Sequence, residues 1–416
     1  MASTGRERVP VTVVYPLDPM GPKVGGSATF IRGFVQYAPT EIAIRFIGVT
    51  CDAEKRPPGR WSTQQLGGRR FELLPLLHEP GEDRRRLIPL SLRFVGAFAS
   101  GVIGEDKSVL VHNRLETTLG RSVRKHHNIV IIHNDVPAQV GSGASEVLWS
   151  HFPWLYYRFE RHVFRFVHQV YTVSSNTLED YWRRYAAIPE KFAFVPTFVD
   201  DAIFSLSNEP KARLRAQLCA RMPGMNARAA WVLFVGRLQP QKAPERVIDA
   251  FALLLKEYPG AQLIMLGEGN LRPAVEQRVR RHGLTECVHL LGATDQALLP
   301  AYYRAADVLL LASNFEGMPM CALEALACGL PVVSTRVGEI ERVVVPGVTG
   351  EISREQSAEC LVEALLCVLR RPTAYDPWRC LAAVQPYSPA RVLAPIYARI
   401  IELATSPSGA RTAAIA

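Results

Sequence analysis

The sequence lacks the long apolar runs and the leader segment that direct a chain into or across a membrane. No uninterrupted apolar stretch reaches the roughly 20 residues that a membrane-spanning helix needs. The first residues, MASTGRERVPVTVVYP, contain no apolar core of a secretory signal peptide. Both absences predict a cytoplasmic protein whose closest association with a membrane is peripheral contact at its inner face.

A block of charge of one sign is also missing. The formal net charge of +9 is spread over both halves of the 416-residue chain and forms no basic stripe of the kind that binds nucleic acid. We therefore expect no nucleic-acid partner. A mild positive balance suits an anionic small ligand or an anionic membrane surface.

Metal-binding patterns are absent as well. The eight cysteines include no Cys-x-x-Cys pair, and no Asp-x-Asp pair or histidine–cysteine cluster has the spacing of metal ligands. Most of the cysteines lie inside apolar runs, which indicates small buried side chains in a reducing compartment. The sequence predicts no catalytic metal and no cofactor.

The sequence does contain a regular alternation of short apolar strands and amphipathic helices, as in Trp231–Val235 followed by Pro244–Glu257. This alternation predicts parallel sheets that are covered on both faces. The chain is also longer than a single hydrophobic core usually allows. We therefore expect an α/β protein with two doubly wound Rossmann-like domains facing each other across a cleft.

The domain boundaries are predicted from composition. Residues 206–229 are polar with a short helical stretch, and we interpret them as the inter-domain connection. The residues after 404 are small and polar, which is typical of a disordered tail. The predicted parts are 1–205 for the N-terminal domain, 206–229 for the connection, 230–385 for the C-terminal domain, 386–404 for a C-terminal helix and 405–416 for the tail.

The segment VLLLASNFEGMPMCALEALACGLPVVS carries the strongest chemical signal. A strand ends near Ser313, and a helix with Pro319 in its first turn follows a loop that contains Glu316 and Gly317. Free amides at the start of that helix favour a phosphate group. The carboxylates of Glu316 and Glu324 can accept hydrogen bonds from sugar and ribose hydroxyls. The alternative is two solvated glutamates on a helix that crosses the sheet.

A second segment, WVLFVGRLQPQKAPERVIDAF, places two cations after another strand. Arg237 and Lys242 flank a proline-containing turn, and Pro244 opens the next helix. Cations beside a helix start add charge-assisted donors to an anion site. The segment therefore predicts a diphosphate site, whereas the alternative is two surface cations near a turn.

The first half of the chain offers weaker signals. Gly25 and Gly26 precede a helix, and His112 and His133 each end a predicted strand. The glycines could let the backbone close on a ligand, or form an ordinary turn. The histidines could bind a sugar hydroxyl, or be satisfied locally by backbone groups.

Two further segments combine aromatic, apolar and basic residues. They are Trp154–His168 (WLYYRFERHVFRFVH) and Arg84–Ala99 (RRRLIPLSLRFVGAFA). Either one is a candidate for contact with a membrane interface. For Trp154–His168 the sequence favours the alternative, a core-facing helix with a basic outer face.

These motifs resemble the retaining glycosyltransferases of family 4, which have the GT-B fold. Glu316–Glu324 is similar to the Glu-x7-Glu motif of that family, and VGRLQPQKAPE is similar to its Gly-Arg-Leu-x-x-x-Lys phosphate segment. The Gly25-Gly26 loop and the strand end at His133 resemble its glycine loop and its active-site histidine. The similarity is specific in the second domain and loose in the first.

The resemblance implies a division of roles in the donor site. Glu316 would contact hydroxyls of the transferred sugar, and Glu324 would contact the ribose. Arg237 and Lys242 would bind the diphosphate. The start of the helix would assist through three residues, Gly317, Met318 and Pro319.

For the first domain, the resemblance implies that His133 lies near the reacting sugar and that Gly25 and Gly26 shape the acceptor side of the donor pocket. His112 and Arg114 are candidates for the acceptor side. The C-terminal helix would cross back to the first domain. The residues expected to take part in the reaction are His133, Glu316, Arg237 and Lys242.

The chain departs from the family pattern at Val337–Arg342, where a Gly-Gly-x-Pro-Glu turn is usual. Contacts made by that turn are therefore in doubt.

The function that the resemblance implies is transfer of a hexose-type sugar, with retention, from a UDP- or GDP-linked donor to a hydroxyl acceptor. The acceptor would be a saccharide or a lipid-linked saccharide in the synthesis of an envelope polysaccharide or glycolipid. The alternatives are a sugar-nucleotide epimerase or a phosphorylase on the same fold, and a non-catalytic protein that binds sugar nucleotides.

Overall fold

The computed structural model describes residues 8–21, 25–80, 88–99, 108–119, 123, 125–133, 135–137, 152–222 and 224–406. The chain forms two compact units. The N-terminal unit comprises Met1–Pro196 and Pro389–Ala416, and the C-terminal unit comprises Thr197–Ser388. Each unit is built on its own α/β sheet of mainly parallel strands, which confirms the two Rossmann-like folds predicted from the alternation.

The N-terminal unit contains one sheet in the described residues. Its strands are β1 (Val9–Val14), β2 (Ile42–Thr50), β3 (Ser62–Leu66), β4 (Arg69–His78), β5 (Val109–His112), β6 (His127–Ile132), β7 (Gln169–Thr172) and β8 (Phe192–Phe194). Their order is β3-β4-β2-β1-β5-β6-β7-β8. Only β3 and β4 pair antiparallel among these strands, as a hairpin at one edge. The carboxyl ends of β1, β5 and β6 therefore lie along one edge.

Helices connect the parallel strands of this unit. They are α1 (Gly26–Gln36), α2 (Leu90–Ala99), α3 (Pro153–Phe164) and α4 (Ser175–Arg184). The start of α4 is capped as its Ser-Ser-Asn sequence suggests, because the Oγ of Ser174 accepts a hydrogen bond from the amide of Thr177.

The C-terminal unit has a sheet in which every neighbouring pair is parallel. Its strands are β9 (Trp231–Val235), β10 (Gln262–Leu266), β11 (Val288–Gly292), β12 (Val308–Leu311), β13 (Val332–Ser334) and β14 (Gly350–Ile352). The order is β11-β10-β9-β12-β13-β14. Its helices are α5 (Lys211–Cys219), α6 (Pro244–Glu257), α7 (Arg272–Arg281), α8 (Leu299–Ala305), α9 (Met320–Ala327), α10 (Ala358–Leu369) and α11 (Pro377–Val384).

Apolar layers cover both faces of this second sheet. Successive residues of one strand point to opposite faces, so Leu233 and Leu309 pack in one layer while Val232 and Leu310 pack in the other. Burial on both faces explains why these strands read as continuous apolar runs. The polar groups of the loops at the strand ends are thus held by a rigid base.

The unit boundary falls at Pro196, before the segment 206–229 that we interpreted as the inter-domain connection. That segment belongs to the C-terminal unit. Its helix α5 is anchored by Arg215, which is buried, donates to the carbonyls of Ala229 and Ala305, and pairs with Asp307 at 2.6 Å. The composition of the segment does not predict this anchor, because the buried side chain is a cation and not an apolar group.

Helix α12 (Pro389–Thr405) belongs to the N-terminal unit although it follows the C-terminal unit in sequence. Its apolar face is buried there, and the Tyr397 hydroxyl donates to the carbonyl of Phe34 at 2.7 Å. Most of the predicted tail, 407–416, lies outside the described residues. None of the described helices is long and apolar enough to cross a membrane.

Candidate functional site

The two motif loops of the C-terminal unit lie side by side. Strands β9 and β12 are parallel neighbours, so the loops that follow them leave the same edge of the sheet. The amide of Asn314 donates to the carbonyl of Gln241 at 2.8 Å, and the Gln241 side chain donates to the carbonyl of Phe315 at 3.2 Å. These bonds join the loops into one surface.

Lys242 and Glu316 form a largely buried ion pair on that surface. The Lys242 Nζ lies 2.5 Å from the Glu316 Oε1, and their side chains are 16% and 8% exposed. The hydroxyl of Ser313 donates to the same carboxylate oxygen at 2.7 Å. Burial would lower the pKa of Lys242, but the charge of Glu316, its hydrogen bond to Lys242 and the nearby Cys321 together outweigh burial, and the pKa is raised. Lys242 is therefore charged, and the carboxylate of Glu316 is fixed in orientation.

Arg237 stands beside this pair with a different environment. Its side chain is exposed and makes no hydrogen bond or ion pair with any residue the structure describes. Its charge nevertheless reaches Lys242, whose pKa it lowers slightly against the effect of Glu316. The loop after β9 therefore presents one guanidinium that is free to bind an anion.

The start of α9 supplies amide donors. The helix begins at Met320, and Pro319 is its N-cap residue, one position earlier than the first-turn place that we predicted. Within the described chain no group accepts a hydrogen bond from the amide of Gly317 or Met318. An anion at this helix start can take both.

Glu324 is held by a residue that the motif analysis missed. The hydroxyl of Tyr303, on α8, donates to the Glu324 Oε2 at 2.7 Å, and both side chains are buried. Burial raises the pKa of Glu324 to about 7, although the Tyr303 hydrogen bond and the charge of Lys242 oppose the rise. A buried carboxylate needs a hydrogen-bond donor, but nothing in the sequence identifies Tyr303 as that donor.

Two glycines set the positions of the motif loops. Gly338 has φ +48°, and a Cβ there would lie 1.9 Å from the carbonyl oxygen of Gly317. The amide of Glu339 donates to the same oxygen at 2.8 Å. Gly267, with φ +140°, approaches the carbonyl oxygen of Gly236 equally closely. The turn that departs from the family pattern thus still supports the loop of Glu316.

In the N-terminal unit the structure brings His133 against Asn113. The His133 Nε2 lies 2.6 Å from the Asn113 Oδ1, and the ring packs edge-on against Phe30 with centroids 4.8 Å apart. Burial lowers the pKa of His133 to about 4, so the ring is neutral. Gly25, with φ +152°, is the N-cap residue of α1, and a Cβ there would meet no atom within 4 Å.

His112 does not face a ligand, and we remove it from the acceptor side. It is fully buried, and its two ring nitrogens are bonded to the Thr117 Oγ1 at 2.9 Å and the Asn128 Oδ1 at 3.2 Å. It is a core histidine satisfied by its neighbours. Arg114 is exposed and pairs with Glu116 at 3.2 Å, so it remains available at the edge of the sheet.

The C-terminal unit also contains a cavity of about 500 Å³ at the opposite, amino-terminal edge of its sheet. Its cations Lys211 and Arg215 are both paired with Asp307, and Arg304 donates to the carbonyl of Ser205. Three of the four cations that line the cavity thus have internal partners, and the fourth, Arg228, is exposed. In the described part of the chain no cluster of three or more histidine, cysteine or acidic residues is placed to hold a metal ion.

Exposed apolar side chains gather on adjoining elements of the N-terminal unit. The 3-10 helix Leu115–Leu119 contacts both α2 and α3. Exposed arginines follow along α3 at spacings of three and four residues, which places them on one face. The exposed apolar residues are Ile88, Leu92, Leu119, Phe152, Trp154 and Leu155, and the arginines are Arg158, Arg161 and Arg165. Residues 84–87 of the predicted interfacial segment lie outside the described residues.

Two Rossmann-like sheets, the second with a basic edge that also carries ordered carboxylates, are the architecture of the GT-B fold. Residues 223–379, a little over a third of the chain, match the family described as glycosyl transferases group 1. The matched range contains both motif loops and every residue that holds them.

Several curated relatives with this similarity are named D-inositol 3-phosphate glycosyltransferase. A D-inositol 3-phosphate glycosyltransferase of Segniliparus rotundus is 36% identical over 170 residues, which is 40% of this chain and 36% of the relative. One of Actinosynnema mirum is 37% identical over 175 residues, 40% of each chain. The match thus spans less than half of the length of these relatives.

Solved structures extend the likeness to nearly the whole chain. A sucrose-phosphate synthase from Thermosynechococcus elongatus has a TM-score of 0.73 and 22% identity, covering 95% of this chain and 98% of its own. Anabaena HepE in complex with UDP and glucose has a TM-score of 0.71 and 17% identity, covering 95% and 100%. At these identities the likeness establishes the shared fold.

Proposed function

We propose that this protein transfers a hexose-type sugar from a nucleoside diphosphate sugar to a hydroxyl acceptor, with retention of the anomeric configuration. The observation that carries the proposal is the buried Lys242–Glu316 ion pair beside the exposed Arg237, at one edge of the C-terminal sheet. A diphosphate needs cations and amide donors, and a sugar needs fixed acceptors for its hydroxyls. This edge offers both.

The assigned roles follow the chemistry of each group. Arg237, the remaining Nζ donors of Lys242 and the amides of Gly317 and Met318 bind the diphosphate. The carboxylate of Glu316, already oriented by Lys242, Ser313 and Gln241, accepts hydrogen bonds from sugar hydroxyls. Glu324, oriented by Tyr303, accepts from ribose hydroxyls when it is ionised. These groups are preorganised before the donor arrives.

We favour UDP as the nucleotide. The neighbour HepE was crystallised with UDP and glucose, and a further structure of it contains UDP-glucose. Other relatives are named D-inositol 3-phosphate glycosyltransferase and sucrose-phosphate synthase. A saccharide or lipid-linked saccharide acceptor for this chain rests on the family resemblance.

The proposed reaction proceeds on one face of the sugar. The acceptor hydroxyl attacks the anomeric carbon from the side that the diphosphate leaves, and a phosphate oxygen takes its proton. Arg237 and Lys242 stabilise the negative charge that develops on the leaving diphosphate, which is the charge a metal would otherwise neutralise. From the family resemblance we assign to neutral His133 a hydrogen bond with the reacting sugar.

The test is direct. The protein is incubated with UDP-hexoses or GDP-hexoses and with saccharide acceptors, in buffer containing a chelator, and the product is examined by proton NMR. We expect nucleoside diphosphate release, and a new glycosidic bond with the donor's anomeric configuration. Inversion, or a requirement for added metal, would overturn the mechanism.

The same experiment separates the alternatives. An epimerase would change the sugar while it stays on the nucleotide, and a phosphorylase would need inorganic phosphate. A non-catalytic binder would take up nucleotide, measured by calorimetry, without turnover. Glu316→Ala should bind UDP but lose transfer, whereas a variant with unchanged turnover would exclude Glu316 from the reaction.

We also propose peripheral contact with an anionic membrane through α2, the 3-10 helix Leu115–Leu119 and α3. Apolar side chains that can enter the interface lie beside arginines that attract anionic headgroups. The protein should float with vesicles containing phosphatidylglycerol and not with phosphatidylcholine alone. A Trp154→Ser/Arg158→Ser variant should lose flotation, and retained flotation would exclude this surface.

A further inference from the structure

Asn113 occupies an unusual position in the N-terminal unit. It follows the last residue of β5, its side chain is buried, and it is 8% exposed. Its Oδ1 is bonded to the His133 Nε2, whereas its buried Nδ2 has no hydrogen-bond partner within the residues described. A buried primary amide with two unused donors is rare in native proteins. Such a group is satisfied when a ligand supplies an acceptor oxygen.

The same contact fixes the proton of His133. A carbonyl oxygen of an amide only accepts hydrogen bonds, so the His133 Nε2 must carry the hydrogen that it donates to Asn113. In a neutral imidazole the Nδ1 is then the acceptor, and no described residue uses it. Asn113 thereby makes Nδ1 the ring nitrogen that can accept a hydrogen bond from a hydroxyl group.

We infer that Asn113 is a positioning and specificity residue, which holds His133 in the Nε2–H tautomer and donates an Nδ2–H bond to an oxygen of the bound sugar. This inference rests on the proposed function for the identity of the ligand. The pair presents complementary groups, an Nδ1 that accepts from a sugar hydroxyl and an Nδ2 that donates to a sugar oxygen. A site built in this way rejects analogues that lack the matching hydroxyl, since its buried amide would stay unpaired.

Two substitutions separate the two roles. Asn113→Ala removes both the acceptor for Nε2–H and the donor to the ligand. Asn113→Asp keeps an acceptor for Nε2–H but replaces the donating Nδ2 by an oxygen. Asn208→Asp makes the same chemical change at an exposed position of the C-terminal unit and serves as the control.

The first readout is the tautomer of His133, observed by 15N NMR of histidine-labelled protein over the alkaline pH range. We expect the Nε2–H form in the wild type and in Asn113→Asp, and a mixture of tautomers in Asn113→Ala. An Nδ1–H form in the wild type would overturn the inference, because Asn113 would then be donating to His133. The wild-type measurement needs neither a folded variant nor activity.

The second readout is transfer. Both Asn113 variants should lose at least tenfold in kcat/KM for the sugar donor, while the affinity for free nucleotide, bound in the C-terminal unit, stays within twofold of wild type. The loss should shrink for the deoxy sugar whose missing hydroxyl Asn113 contacts. Variants with wild-type kcat/KM across the deoxy series would overturn the specificity role. A wild type that transfers no sugar would instead contradict the proposed function and leave the tautomer result standing.

Discussion

Single residues at the edge of the C-terminal sheet show polar groups arranged for a ligand. A buried ion pair gives little net stability, because desolvation of the two charges offsets their attraction. The Lys242–Glu316 pair also has Ser313 as an extra donor, which orders the carboxylate. The arrangement fits a site in which both charges are needed when a diphosphate sugar binds.

Lys242→Met tests this interpretation. The methionine keeps the length of the side chain and leaves the Glu316 carboxylate without its cation. We expect UDP binding by calorimetry to weaken and turnover to fall by about 10²–10³-fold, as for other groups that stabilise a leaving anion. Lys256→Met, at an exposed position of α6, should match the wild type. Equal UDP affinity in both variants would remove Lys242 from the site.

Glu324 gives a prediction about how the free energy of unfolding depends on pH. Its pKa is raised by burial from 4.5 to about 7 in the folded chain. The stability it contributes is therefore fully present below about pH 4.5, and it is lost as pH rises through about 7, because the folded state must then bury a charge. Glu324→Gln has no such charge, so its unfolding free energy relative to wild type should rise by about 3 kcal/mol across that window.

The measurement is urea unfolding of both proteins, without nucleotide, at a series of pH values. Glu160 in the N-terminal unit also has a pKa raised by burial to about 7, and Glu160→Gln should show the same trend in the other unit. If the difference between Glu324→Gln and wild type is the same at every pH, Glu324 does not titrate in this range.

The sequence predicted some of these residues and missed others for a physical reason. Glu316 and Lys242 stand in local motifs, where a strand end, a glycine and a helix start are close together in the chain. Tyr303 and Asn113 matter only through partners about 20 residues away. No spacing rule links them, and only the packing of helix on helix, or strand beside strand, brings them together. His112 shows the converse, since its strand-end position suggested a ligand contact that its burial rules out.

Among the elements, the loops after parallel strands depend on glycines in neighbouring loops. Gly338→Ala should displace the Gly317 loop, because the new Cβ would lie 1.9 Å from the Gly317 carbonyl oxygen. We expect UDP affinity to fall at least tenfold, together with a loss of about 1–3 kcal/mol in unfolding free energy. Calorimetry and urea unfolding give the two values.

Gly347→Ala is the matched control for that substitution. Gly347 also has a positive φ, +74°, but a Cβ there would meet no atom within 4 Å. It should lose only the roughly 1–2 kcal/mol cost of a left-handed alanine and bind UDP normally. Equal loss of UDP affinity in both variants would mean that the backbone conformation, and not contact with the Gly317 loop, controls the site.

Apolar periodicity predicts the elements of the C-terminal sheet, whereas it does not predict which unit a polar helix belongs to. The strands β9, β10 and β12 were apparent because both faces of the sheet are buried and their sequences are continuously apolar. The sequence predicts the short helical stretch that forms α5, but its arginines and lysine favour a place in a connection. Its anchor, Arg215, is buried against carbonyl oxygens and Asp307, a contact that composition alone does not reveal.

At the scale of the whole molecule, the two units differ in continuity. The C-terminal unit is one uninterrupted stretch, Thr197–Ser388, with apolar layers on both faces of its sheet. The N-terminal unit is completed by α12, which the chain adds only after the C-terminal unit is finished. Stability of the first unit therefore depends on residues at the far end of the sequence.

Truncation after Ser388 tests this dependence. It removes α12, whose buried apolar side chains include Val392, Leu393, Ile396, Tyr397 and Ile400. Burial of each is worth about 1.5–3 kcal/mol, so the loss is comparable with the 5–15 kcal/mol that typically holds a domain folded. We expect the N-terminal unit to unfold at physiological temperature and transfer to disappear, while UDP binding by the C-terminal unit persists within a few-fold. Calorimetric scans should show one remaining unfolding transition, whose midpoint temperature UDP raises.

A chain ending at Ser406 keeps all of α12 and should behave as the full protein. Loss of UDP binding in the shorter chain alone would show that the C-terminal unit needs its companion to form the nucleotide site.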